Sequence, residues 1–111
     1  MKHIMLMHKN ADTRFTIQTL LEKNGYKVTP IASFDEYIKK INNRIDLVIL
    51  DGLMPRDKII EIAHEKNIKV AYLMTEDIPV SELKLYKNVI GSIEEPTDIN
   101  LFLRRIKQLL K

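Results

Sequence analysis

The stretch from Asp46 to Pro55, DLVILDGLMP, constrains the fold of this chain more than any other. Four consecutive apolar residues, Leu47 to Leu50, end at the carboxylate of Asp51 and are closed by Gly52 and Pro55. A run this short, with β-branched residues at its centre, reads as a strand buried on both faces, the kind found in a parallel sheet covered by helices. Asp51 is then the first polar residue where that strand leaves the core. Ligands and chemistry gather at the carboxyl ends of the strands in an open α/β sheet, which makes Asp51 a candidate reactive group. The alternative is a loop acid that caps the following turn.

The remaining segments supply the layers such a strand needs. Ile4 to Met7 is a first buried strand ended by His8-Lys9-Asn10. Phe15, Ile17, Leu20 and Leu21 give a helical stripe over residues 11 to 24, closed by Asn24-Gly25 with Gly25 as left-handed cap. Tyr26 to Ile31 is a second strand. Ser33 and Glu36 form a capping box for a second helix whose buried stripe is Phe34, Tyr37, Ile38 and Ile41. After Pro55 come a short helix over Arg56 to Asn67, a strand over Ile68 to Met74, and a weak fourth helix of about two turns over Pro79 to Tyr86. Val89 to Ile93 is the fifth strand. Asp98 to Lys111 is the closing helix, with Ile99, Phe102, Ile106 and Leu109 at core spacing. Five alternations imply a flavodoxin-like α/β fold, with a doubly wound parallel sheet of order 2-1-3-4-5 and helices on both faces. Lys9, Asp51, Thr75 and Glu95 should converge at its mouth.

Bulk properties narrow the function. The 111 residues are one domain's worth, expected to form a single unit over 1–111. The chain has no Cys, no run of membrane-spanning length and no signal-peptide pattern, which fits a cytoplasmic protein. The net charge of +3 arises from 8 Lys/Arg against 5 Asp/Glu in residues 1–50 and 10 against 10 thereafter, and no basic block stands out, which counts against nucleic acid. The first turn, HKNAD, lacks the glycines of a nucleotide site. His8 has no second His or Cys nearby to make a metal site. Asp51, Glu76 and Glu95 could be imagined as a carboxylate site, but Lys9 places a cation among them. Tyr72 and the scattered Met residues read as core.

Over its full length the sequence resembles the receiver domain of bacterial response regulators, the CheY-like family. IMLMHKN stands where the family has an ILIVDDN-like first strand, LVILDxxMP contains the phosphoacceptor Asp as Asp51, Thr75 ends the fourth strand, and Pro96 follows the fifth. The resemblance implies phosphoryl transfer from a histidine kinase to Asp51. Two acids after the first strand would hold Mg²⁺ with the acceptor, a Lys after the fifth strand would add positive charge, and the Thr hydroxyl would grip the product.

Here the pattern breaks. The two acids are His8 and Lys9, and the Lys is Glu95. An imidazole and an ammonium cannot replace hard oxygen ligands, and Glu95 opposes an incoming phosphoryl group. Lys9 is expected to stand in for the metal as a counter-ion to Asp51 or Glu95. Ser92 occupies the position of the family's switch aromatic. The sequence therefore reads as a degenerate pseudo-receiver, a protein-protein interaction module with no cofactor or metal and no enzymatic activity. The alternative is a phosphoacceptor modified at Asp51. The expected docking surface is the face of the fourth helix, fifth strand and closing helix, where Leu85, Tyr86 and Leu101 would form an apolar patch rimmed by Arg104 and Arg105, open to a partner or a second copy.

Overall fold

In the computed structural model, which describes residues 1–51, 56–74, 87–94 and 98–111, five strands form one parallel sheet of order β2-β1-β3-β4-β5. These are β1 (His3–Met7), β2 (Lys27–Ile31), β3 (Leu47–Asp51), β4 (Lys69–Met74) and β5 (Val89–Glu94). The four described helices are α1 (Ala11–Lys23), α2 (Phe34–Lys40), α3 (Arg56–Glu65) and α4 (Ile99–Leu109). The helix expected over Pro79 to Tyr86 lies outside the described residues.

Alternation along the strands builds two cores. Met5, Met7, Val48, Leu50, Val70 and Tyr72 face α2 and α3, where Tyr37, Ile59, Ile60 and Ala63 meet them. Ile4, Leu6, Leu47, Ile49, Ala71 and Leu73 face α1 and α4, against Ile17, Leu21, Phe102, Ile106 and Leu109. All of β3 is buried, as a central strand covered on both sides must be, and each such Leu or Ile contributes about 1.5–3 kcal/mol. The buried Tyr37 hydroxyl donates to the Ile59 carbonyl at 2.7 Å, which ties α2 to α3, and burial raises its pKa.

Local signals set the helix ends. Asn10 caps α1 by accepting from Thr13 N at 2.9 Å, Asp98 caps α4 by accepting from Leu101 N at 3.2 Å, and Gly25 takes the positive φ of 90° that lets the chain turn into β2. Ser33 Oγ accepts from Glu36 N at 3.3 Å, but the Glu36 carboxylate pairs with Lys40 at 3.6 Å, so only half of the expected box is formed. Asn67 takes a φ of 59° after α3, which stops that helix two residues before Asn67 itself.

Three stripe assignments are corrected. Phe15, Ile38 and Ile99 are 69%, 51% and 55% exposed. In α1 the inward positions are Ile17 and Leu21, and two residues of helical turn, about 200°, carry Phe15 to the opposite side. α2 is only seven residues long and buries Tyr37 alone, so its neighbour Ile38 points away. Ile99 opens α4, one turn ahead of the buried Phe102.

The sheet edges are blunted. Lys27 N donates to Lys2 O and His8 N donates to Ile31 O, so the odd residues of β2 bond to β1 and Pro30 presents its missing N–H outward. On the other edge, Arg105 lies over Gly91, where a Cβ would approach its guanidinium to 2.6 Å, and its Nε donates to Ser92 O at 3.3 Å.

Candidate functional site at the carboxyl ends of β1 and β3

Register brings the first pair of site residues together. Met7 lies opposite Leu50, so the next residues, His8 and Asp51, stand level at the carboxyl ends of adjacent strands. Both alternate onto the α1/α4 side, His8 following Ile4 and Leu6 and Asp51 following Leu47 and Ile49. Both are buried, at 6% and 8% exposure, and His8 Nδ1 lies 3.8 Å from Asp51 Oδ2.

His8 is held at three points. Its N–H reaches Ile31 O at 3.2 Å, its carbonyl accepts from Arg14 Nη1 at 2.6 Å, and its ring Nδ1 accepts from Asn10 N at 3.1 Å. The Asn10 bond uses the Nδ1 lone pair, which places the ring proton of the neutral form on Nε2. At 3.8 Å the approach to Asp51 is too long for a hydrogen bond, and the Asn10 contact is one of those that orient the ring. Asn10 thus couples the cap of α1 to the orientation of His8. Arg14 is a site residue that the sequence reading missed; its signal was a cation one turn into the helix that leaves β1.

Lys9 forms no ion pair with Asp51, and its other expected partner, Glu95, lies outside the described residues. The Lys9 side chain is exposed, and among the described residues it forms no ion pair. The reason is parity: consecutive residues leaving a strand point to opposite faces, and His8 has the face of Asp51. Thr75 and Glu95 lie outside the described residues, as do Leu85 and Tyr86.

The donor set can be judged against the metal that the family resemblance implies. Mg²⁺ demands near-octahedral oxygen ligands at short range. Of the three described positions, Asp51 supplies oxygen, His8 supplies a nitrogen already accepting from Asn10, and Lys9 supplies a cation. This set does not fit Mg²⁺. Described residues contain no group of three or more His, Cys, Asp or Glu side chains placed to hold a metal.

On the far side of the sheet, Ser92 lies opposite Tyr72, whose buried ring has the Arg56 guanidinium 5.9 Å from its centroid. Tyr72 is core, as expected. On α4, Leu101 is 58% exposed. The other rim residues divide: Arg105 is half-buried against β5, whereas Arg104 lines a groove with Asn24, Tyr26 and Lys107 on the α1 flank. Arg105 therefore belongs to the fold of β5 rather than to an open rim. No described helix is long and apolar enough to cross a membrane.

No protein-family model matches the chain. A curated relative, the response regulator SaeR of Staphylococcus aureus, is 35% identical over 65 residues, which cover 59% of this chain and 28% of that protein. The match thus spans little more than a quarter of the curated relative. Among solved structures, the chemotaxis protein CheY4 of Vibrio cholerae superposes with a TM-score of 0.84 at 20% identity, covering 99% of each chain. The response regulator TrrA of Thermotoga maritima, solved in complex with Mg²⁺-BeF, superposes with a TM-score of 0.72 at 24% identity over 99% of this chain and 100% of that one.

Proposed function

We propose that this chain is a receiver domain of the response-regulator family and that it signals as a pseudo-receiver, through protein contact and without Mg²⁺-dependent phosphorylation of Asp51. The observation that carries the reading is His8. It is buried level with Asp51 at the position where the family places an acid, and its Nδ1 already accepts from Asn10. Phosphoryl transfer in this family depends on positive charge placed on the phosphoryl oxygens by a bound metal. An imidazole is not the hard oxygen ligand that Mg²⁺ needs, and Lys9, which stands at the family's second acid position, is an exposed cation. The domain is a binding module rather than an enzyme, and the cell interior is where such signalling takes place. The contact surface is the α4 face that carries the exposed Leu101.

Incubation with a small phosphodonor and Mg²⁺, followed by intact-mass measurement, tests this. The expected spectrum is that of the unmodified chain. An adduct of one phosphoryl group that is absent from Asp51→Asn would overturn the proposal. The buried, intact carboxylate of Asp51 at the mouth is the observation that keeps a phosphoacceptor as the second reading.

A further inference from the structure

The opposite end of the sheet holds a different kind of site. Every strand is entered from an exposed cation: Lys2 before β1, Lys27 at the start of β2, Arg44 before β3, Lys69 at the start of β4 and Lys87 before β5. These residues lie 17 to 25 positions apart in the sequence, and only the parallel sheet brings them to one edge. Near the middle of that edge is a cavity of about 320 Å³ where Lys2, Lys69 and Lys111 meet Asn43, Asn67 and Asp46. Asp46 is already engaged, accepting from His3 N at 2.8 Å. Among the described residues, the side chains of the three lysines and two asparagines have no hydrogen bond or ion pair of their own.

We propose that this cavity binds a compact phosphate-type polyanion, of which pyrophosphate is the simplest member. Three lysine side chains and one aspartate line it, which suits a ligand that concentrates more than one negative charge in a small volume. A lone carboxylate brings a single charge and would also meet Asp46. A polyphosphate brings several charges and acceptor oxygens on every side, to which three ammonium groups and two carboxamides can donate. Lys27 and Lys87 flank the cavity and attract the same anion at longer range. Burial and Lys27 together lower the pKa of His3, with Asp46 opposing, so the nearby ring is neutral at neutral pH and the lysines supply the charge.

The experiment is a titration of the ¹⁵N-labelled chain with sodium pyrophosphate at constant ionic strength, with sodium chloride as control. Saturable amide shifts centred on Asn43, Asn67 and Lys69 are expected, with binding about tenfold weaker in Lys69→Gln and weaker again in Lys2→Gln/Lys69→Gln. Both substituted side chains are exposed, so the variants should keep the parent's urea midpoint. Parallel titrations use a short thymidine oligonucleotide and phosphatidylglycerol vesicles. Shifts with either of these but not with pyrophosphate would overturn the compact-anion assignment, as would pyrophosphate shifts no larger than those from chloride or unchanged in the double variant.

Discussion

β1 and β3 carry the same pair of residue types at both ends of their shared ladder, and the two ends use it differently. At the amino end His3 stands level with Asp46; at the carboxyl end His8 stands level with Asp51. Asp46 accepts the backbone N–H of His3, while the His3 ring turns away to Thr29 Oγ1 at 2.6 Å. That carboxylate is structural. Asp51 instead faces the His8 ring across 3.8 Å, and the ring takes its hydrogen bond from Asn10. The difference comes from where each strand can offer a free N–H. At the start of β1 the amide of His3 is available to a side chain, whereas at its end the amide of His8 is already bonded to Ile31 O. Pairing His with Asp therefore says nothing about function until the backbone partners are known.

Exchanging the character of the two ends would break the comparison most directly. His8→Asp with Lys9→Asp should restore an oxygen donor set around Asp51 and raise Mg²⁺ affinity by at least about a hundredfold, read as amide shifts near Asp51 at millimolar Mg²⁺. No gain would mean that the groups flanking the mouth, rather than His8 and Lys9, prevent binding. A smaller effect separates the two carboxylates by stability. Asp46→Ala should cost about 1–2 kcal/mol in urea unfolding, because the half-buried His3 amide loses its acceptor. Asp51→Asn keeps the shape of the side chain and one acceptor oxygen, and should cost less stability than Asp46→Ala. The reverse ranking would make Asp51 the structural acid.

The smallest effect is the pH dependence of the amino end. Burial first, and Lys27 second, lower the His3 pKa below its ordinary 6.5, while Asp46 opposes them. The unfolded chain thus binds the proton more readily than the folded one, and the stability tied to the neutral ring is complete above pH 6.5 and lost as the pH falls below it. His3→Gln should flatten the stability profile between about pH 6.5 and 5, where carboxylates have not yet taken over. A parent profile that rises on acidification in this window, relative to His3→Gln, would reverse the sign.

The sheet order, the alternating elements and the burial of LVIL were legible because parallel central strands need apolar runs and the helices between them carry signals such as the Ser33 cap. The placement of Asp51 at the mouth was legible for the same reason. What the sequence left hidden was direction. Lys9 and His8 are adjacent, and which of them turns to Asp51 depends on the parity of β1, a property of the register that composition does not carry. Phe15 and Ile38 failed as core positions because they lie off the helical faces that bury Ile17, Leu21 and Tyr37, and Ile99 because it stands in the exposed first turn of α4. The cations of the amino edge escaped notice because a search for charge blocks reads neighbours in sequence, and these are neighbours only across strands.

Pro30 sits on the outer rail of β2, where its absent N–H costs the ladder nothing. An incoming chain that tried to lengthen the sheet there would find a gap in the donor row at Pro30, and the Arg105 guanidinium lies across β5 at the other border. Both borders thereby disfavour strand-to-strand zippering, and any contact this domain makes is left to side chains, which can form and dissolve without reopening the sheet.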